Sequence, residues 1–226
     1  MWAIGIQNEP QNSDSTYPTC LISASQEAAI GISLRSLMND NGFTDQVIIG
    51  YEHNWDDAGA YPVTLMNDAP NAFSGASFHC YAGTVSDQQT FVDDEPGKAV
   101  YFTECTGEFG SDWWSDIKWY MDNIFIGAPN YYAQTGAMWN LALDGDGEPK
   151  LPGTDSCGTP CRPVVTVNSN GTYNWNQECA WSFLGARDVE QMLIGRLRSL
   201  FHRPGTEGDQ PEGRGWAVWP AHCLYC

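Results

Sequence analysis

The chain has 226 residues, of which 42% are hydrophobic, and its 10 basic and 28 acidic residues give a formal net charge of -18 and a pI near 4.2. That apolar fraction can fill one sizeable core, and the length suggests one domain, two at most. So acidic a surface argues against nucleic acid as a partner, since a phosphate backbone would be repelled, and no run of about 18 apolar residues is available to span a membrane.

Met1 leads straight into Trp2-Ala3-Ile4-Gly5 with no basic stretch, so no signal peptide is read at this end. The first short apolar run covers 2–7 and is closed by Asn8-Glu9-Pro10. Ser23 with Gln26 forms a capping box ahead of a helix over 24–39, which Gly42 ends. Further strand-length runs follow at 46–51, 75–81, 99–104 and 136–141, with a short helix between the third and fourth, somewhere in 84–96. Ser111 and Asp112 open another helix, in which Trp113, Ile117, Tyr120, Met121 and Ile124 recur at helical spacing. Strands alternating with helices point to an α/β fold with a parallel sheet. Polar residues gathered where strands end match the rim at which a (β/α)8 TIM barrel keeps its active site. Only five strands are found, whereas a barrel needs eight and about 250 residues. Either the chain is a fragment or the sheet is open and doubly wound, and a strand that starts at Met1 favours the fragment. Residues 1–186 hold 5 basic and 23 acidic residues, while 187–226 hold 5 of each and are rich in Gly, Pro and Arg. The second stretch is read as a poorly ordered tail and not as a domain.

Of the eight cysteines, Cys157 and Cys161 flank Gly158-Thr159-Pro160, a turn that can close a small disulfide ring; no histidine stands near enough to favour zinc. The sequon Asn170-Gly171-Thr172 suits a secreted protein. Trp and Tyr number ten each; most serve core packing, but their flat faces also suit sugar rings.

Two carboxylates end apolar runs, Glu9 the first and Glu104 the fourth, where a merely solvated glutamate is less expected. Cleaving a glycosidic bond takes one carboxyl to protonate the leaving oxygen and another on the opposite side of the sugar, about 5–5.5 Å apart in retaining enzymes. Around these residues stand Gln7-Asn8-Glu9-Pro10-Gln11-Asn12-Ser13, Tyr17-Pro18-Thr19-Cys20, Gly50-Tyr51-Glu52-His53-Asn54-Trp55-Asp56, Phe78-His79-Cys80-Tyr81, Tyr101-Phe102-Thr103-Glu104-Cys105 and Trp139-Asn140-Leu141-Ala142-Leu143-Asp144. In that order they resemble glycoside hydrolase family 30, which includes glucosylceramidases and fungal endo-1,6-β-glucanases, with the latter the better fit. The resemblance runs over roughly residues 2–178.

The resemblance implies a (β/α)8 barrel of which only the later part, strands four to eight, is present, with no complete β-sandwich domain. It implies retaining hydrolysis of a β-linked glucan, with Glu9 as acid/base and Glu104 as nucleophile. Asn8 matches the residue that bonds the sugar 2-hydroxyl, and His53, Asn54 and Trp55 are placed along the same subsite. His79 and Tyr81 match the motif beside the nucleophile, as sugar contacts or as a supporting hydrogen-bond network, and Trp139 and Asn140 match the floor of the glucose site. No cofactor and no metal are implied. The partner is a polysaccharide or glycoside, and the parent protein is expected outside the cell. The charge on Glu104 is expected to raise the pKa of Glu9 and keep it protonated. Two further readings stand beside the enzyme: an inactive fragment or non-catalytic carbohydrate-binding remnant, and a glucosylceramidase-like β-glucosidase.

Overall fold

The computed structural model describes residues 2–108, 112–150 and 161–175. Its centre is a four-stranded, all-parallel sheet in sequential order, β1 (Ala3–Gly5), β2 (Val47–Asn54), β3 (Gly75–His79) and β4 (Ala99–Glu104). Each strand returns to the next through a helix: α1 (Ala24–Asp40), α2 (Tyr61–Asp68) and α3 (Gln88–Asp94). α4 (Trp113–Tyr120) and a π-helical turn, Met121–Phe125, follow β4. These elements lie where the sequence puts four of its five strands and its helices, whereas α2 was not foreseen. Pro62 sits in its first turn, where proline is tolerated, and only Tyr61, Leu65 and Met66 mark its apolar side.

Local chemistry accounts for the helix ends. Ser23 Oγ accepts from the Gln26 amide at 3.3 Å while Gln26 Oε1 accepts from the Ser23 amide at 2.9 Å, the reciprocal capping box. Gly42, with φ +82°, takes the left-handed conformation just past the end of α1. Ala24, Glu27, Ala28 and Gly31 form the buried stripe of α1, and Gly31 lies so close to the Phe73 ring that a Cβ there would be 2.3 Å from it.

The sheet has two unlike faces. Ala76, Phe78, Val100 and Phe102 join Tyr51, Trp55, Leu65, Met66, Phe91 and Ile124 in the core beneath the helices. Each of the larger aliphatic and phenyl side chains among them contributes about 1.5–3 kcal/mol on burial. The opposite face carries small or polar groups, including Gly75 and Ser77, whose hydroxyl meets that of Thr103 at 2.6 Å. Gly75 is pressed against β4: a Cβ on it would stand 1.8 Å from the Ala99 carbonyl oxygen.

The fifth expected strand, 136–141, is not one. The chain from 133 to 139 does run parallel beside β4, with the Gln134, Ala137 and Trp139 amides donating to the Val100, Phe102 and Cys105 carbonyls. Only isolated bridges form, because the spacing of those bonds is uneven. Short pairs complete the described chain: β5 (Gly107–Glu108) with β7 (Cys161–Arg162), and β6 (Ala142–Leu143) with β8 (Val165–Val167), which also pairs β9 (Tyr173–Trp175). Asn170-Gly171-Thr172 forms the exposed turn between β8 and β9.

Cys80 and Cys105 form a disulfide between the ends of β3 and β4, a pairing the sequence did not reveal. Cys161 is also disulfide-bonded, but Cys157, its expected partner, lies outside the described residues, as do the boundary at 186 and the tail 187–226.

Gly75→Ala should destabilise the chain by about 3 kcal/mol, since backbone and not a flexible side chain blocks the new methyl. Gly145→Ala, where nothing lies within 4 Å, should change stability little. Urea midpoints test this: equal midpoints for the two variants would contradict the packing of β3 on β4.

Candidate active site

Glu9 and Glu104 stand at the C-terminal ends of β1 and β4, separated in the sheet by β2 and β3. His79, at the end of β3 and 1% exposed, lies between them. Its Nδ1 is 3.0 Å from Glu9 Oε1 and 4.0 Å from Glu104 Oε1. One donor atom from each of the three side chains falls within a 4.8 Å set. An irregularity brings Glu104 into place: β3 and β4 shift register after Phe78 and Phe102, so that Thr103 is the extra residue and Glu104, not Thr103, pairs with His79.

Both oxygens of Glu9 are engaged. Oε1 meets His79, and Oε2 accepts from Asn12 Nδ2 at 2.8 Å, which also donates to the Tyr17 hydroxyl at 2.8 Å. Glu104 Oε1 accepts from the Tyr81 hydroxyl at 3.0 Å. Tyr81 as a residue is 43% exposed, but its hydroxyl is turned onto the carboxylate, and burial together with the Glu104 charge raises its pKa.

The two carboxyls are perturbed in opposite directions. Burial tends to raise Glu9, but the neighbouring His53 and His79 outweigh it and hold the carboxyl down to about 2. His53 Nδ1 stands 3.8 Å from Glu9 Oε1, beyond ordinary hydrogen-bond reach, so His79, at 3.0 Å, is the closer hold. Glu104 is raised, first by burial and then by the charge of Glu9, against the pull of His79 and the Tyr81 hydrogen bond. The expectation that Glu104 raises Glu9 is thus reversed, because the imidazole hydrogen-bonds to Glu9 and only approaches Glu104.

Not every residue expected at the site lies there. Trp55 is 1% exposed; its Nε1 donates to Gln88 Oε1 at 2.8 Å and its ring packs 5.5 Å from that of Phe102, so it offers no face to a ligand. An aromatic after a strand end can turn back into the core, and here it does. Asn54 Oδ1 accepts from the Tyr81 amide at 3.0 Å and so joins two strand ends. Asn8 is exposed beside Glu9, and Trp139 and Asn140 are half-buried, with the Trp139 amide held by the Cys105 carbonyl next to Glu104.

Asn12 and Tyr17 were missed as individual groups, although an amide three residues past a strand-end glutamate is a readable signal. Glu52 was missed too. Its carboxyl lies over Gly5, where a Cβ would be 2.0 Å from Oε2, and burial followed by the charges of Glu27 and Glu104 pushes it up to about 7. Glu9, His79 and Glu104 have the donor types and spacing of a divalent-cation site, but each side chain is already engaged with a neighbour or close to one. A cleft of about 200 Å³ adjoins Tyr81, bordered by Cys80, Cys105, Glu108 and Trp119. A larger one, about 300 Å³, lies away from both carboxyls, beside Arg35 and Gln46.

Carboxyl pairs on strand ends occur in many hydrolases, and comparison with known proteins narrows the choice. The chain is similar to fungal endo-1,6-β-glucanases. It is 34% identical over 185 residues to an endo-1,6-β-D-glucanase of Neurospora crassa, covering 76% of this chain and 35% of the relative. It is 31% identical over 176 residues to one from Aspergillus fumigatus, covering 77% and 34%. Against one from Trichoderma harzianum it is 30% identical over 177 residues, covering 76% and 34%. The chain therefore spans about a third of the length of these relatives. No family model matches it. Among solved structures, the endo-β-1,6-glucanase BT3312 superposes with a TM-score of 0.71 at 23% identity, over 82% of this chain and 42% of that one. SrfJ from Salmonella typhimurium gives 0.67 at 24%, over 78% and 40%. These two likenesses speak for the fold.

Opposite pH effects on stability follow from the carboxyls. Glu9, lowered from 4.5 to about 2, adds stability above pH 4.5 that is lost as pH falls through 2. Glu52, raised from 4.5 to about 7, subtracts stability as pH rises from 4.5 to 7. At pH 8, Glu9→Gln should lower and Glu52→Gln should raise the unfolding free energy, each on the order of 1–2 kcal/mol. Below pH 4 the Glu52→Gln difference should vanish. Parallel pH–stability curves for both variants and the unaltered chain would refute these assignments.

Proposed function

We propose that the chain is the later part, strands four to eight, of a (β/α)8 barrel of glycoside hydrolase family 30, and that it carries both carboxyls for retaining hydrolysis of β-1,6-glucan. The observation that carries this reading is the close approach of Glu9 and Glu104 around His79 at the C-terminal ends of parallel strands. Their separation fits the roughly 5–5.5 Å of retaining enzymes better than the 6.5–9.5 Å that leaves room for water in inverting ones. The names of the curated relatives supply the glucan and its linkage. β1 to β4 would then be strands four to seven, and the chain beside β4 that ends at Trp139 the eighth.

In this mechanism Glu104 attacks the anomeric carbon while Glu9 gives a proton to the leaving oxygen. Glu9 then takes a proton from water, which cleaves the glycosyl ester and frees Glu104. The Tyr81 hydroxyl steadies the ionised Glu104, and Asn8, His53, Trp139 and Asn140 border the sugar. No cofactor takes part. The Cys80–Cys105 disulfide supports maturation in an oxidising compartment, as for a secreted enzyme.

The order of the two carboxyl pKa values favours a second reading, in which Glu104 is the acid and Glu9 the nucleophile. Azide separates the two. Glu104→Ala and Glu9→Ala are assayed on β-1,6-glucan and on an aryl β-glucoside, using the 226-residue chain alone and complemented with the preceding strands of a relative. Under the first reading Glu104→Ala loses turnover by about 10⁴-fold or more on both substrates. Glu9→Ala loses least on the aryl glycoside, whose leaving group departs without protonation, and azide restores breakdown of the intermediate with retention of configuration. Retained-configuration rescue of Glu104→Ala alone exchanges the roles. Binding of glucan without cleavage in either form identifies a carbohydrate-binding remnant, and cleavage of the aryl glucoside alone a glucosylceramidase-like specificity.

A further inference from the structure

Glu9 is held from below by a part of β2 that is not regular strand. Tyr51 and Glu52 are consecutive residues with φ +74° and +42°, in the left-handed region that side chains other than glycine seldom adopt. The register between β2 and β3 shifts there, between Gly50 and His53. The bulge turns two backbone groups out of the ladder. The Tyr51 amide points into the helical layer and donates to Glu27 Oε1 at 3.1 Å. The Glu52 carbonyl points toward β1 and accepts from the Glu9 amide at 3.0 Å. Glu9 itself has φ +48°, so its backbone is set by this contact and by the turn in which the Asn12 amide donates to the Glu9 carbonyl.

Glu27 is 0% exposed in the first turn of α1. Burial raises its pKa against the pull of the nearby Tyr61 hydroxyl and the Tyr51 amide; Oε2 has no hydrogen-bond partner, and the Tyr61 hydroxyl also donates to the Ile22 carbonyl at 3.2 Å. A buried carboxyl on a core-facing stripe is costly unless it answers a need. The need here is the Tyr51 amide. Gly50 clears the approach: a Cβ on it would stand 2.4 Å from Leu65 and 3.1 Å from Glu27 Oε1.

We infer that Glu27 is a positioning residue for Glu9, acting through the bulge at Tyr51–Glu52 without touching the site. Oε1 fixes the Tyr51 peptide, that peptide fixes the direction of the Glu52 carbonyl, and the carbonyl fixes the Glu9 backbone. The catalytic meaning of this chain of contacts rests on the role proposed for Glu9, but the contacts themselves can be read without turnover.

Amide hydrogen exchange on the full 226-residue chain tests it in the unaltered protein, Glu27→Gln and Glu27→Leu. Gln keeps a carbonyl oxygen at the Oε1 position, so the Tyr51 and Glu9 amides should stay protected. Leu removes the acceptor, and both amides should exchange about tenfold faster or more, while amides inside β3 keep their rates. The inference is overturned if the Glu9 amide is unmoved in Glu27→Leu, if Gln behaves like Leu, or if all amides speed up together. Should Glu27→Leu not fold, the unaltered chain decides: Tyr51 and Glu9 amides must open with one free energy, and separate openings overturn the inference.

Discussion

With 1% of its surface exposed and Nδ1 3.0 Å from Glu9, the His79 ring sits where two strands would otherwise bring two carboxylates together with nothing between them. Like charges that close disfavour a common ionised state. The imidazole resolves the conflict unevenly, bonding one carboxyl and standing 4.0 Å from the other. That asymmetry contributes to the low pKa of Glu9, whereas Glu104, raised chiefly by burial, is met by the Tyr81 hydroxyl. The remaining architecture serves to hold this ring: β3 is buried along its whole length, with Phe78 locked among Tyr51 and Phe91 on the helical side.

Strand ends were legible because parallel strands buried on both faces read as short apolar runs and end abruptly in polar residues. Glu9 and Glu104 stand out for that reason, His79 only through the family resemblance, and α1 because a capping box and a terminal glycine bracket it. What escaped has physical causes. Trp55 follows Asn54 just as a pocket residue would, but its Nε1 finds a buried acceptor in Gln88 and its ring packs against Phe102. α2 is eight residues long with a proline in its first turn, too short for its period to show. The chain before Trp139 follows β4 by irregular bonds that no alternation encodes. The pKa order depends on which carboxylate an imidazole touches, a matter of ångströms and not of residue type.

Irregular backbone recurs at the rim. β4 gains an extra residue at Thr103 and β2 at Tyr51–Glu52, both next to site residues. A regular strand would alternate side chains to opposite faces and could not bring Glu104 beside His79. Bulges break the alternation at the cost of a local ladder bond, and that cost is met by particular groups, such as the Glu27 carboxyl for the Tyr51 amide. The sheet is therefore regular at the base, where Gly75 packs on Ala99, and shaped at the top.

The Cys80–Cys105 bond encloses the whole crossover from β3 through α3 to β4, with the two half-cystines 25 residues apart. Closing a loop of that length removes about 3.5 kcal/mol of conformational freedom from the denatured ensemble in the chain-entropy model. The two strand ends that carry His79 and Glu104 thus remain neighbours even when the surrounding helices come apart. On refolding, that pair of strands begins already tethered, and the loop between them has the least distance to search.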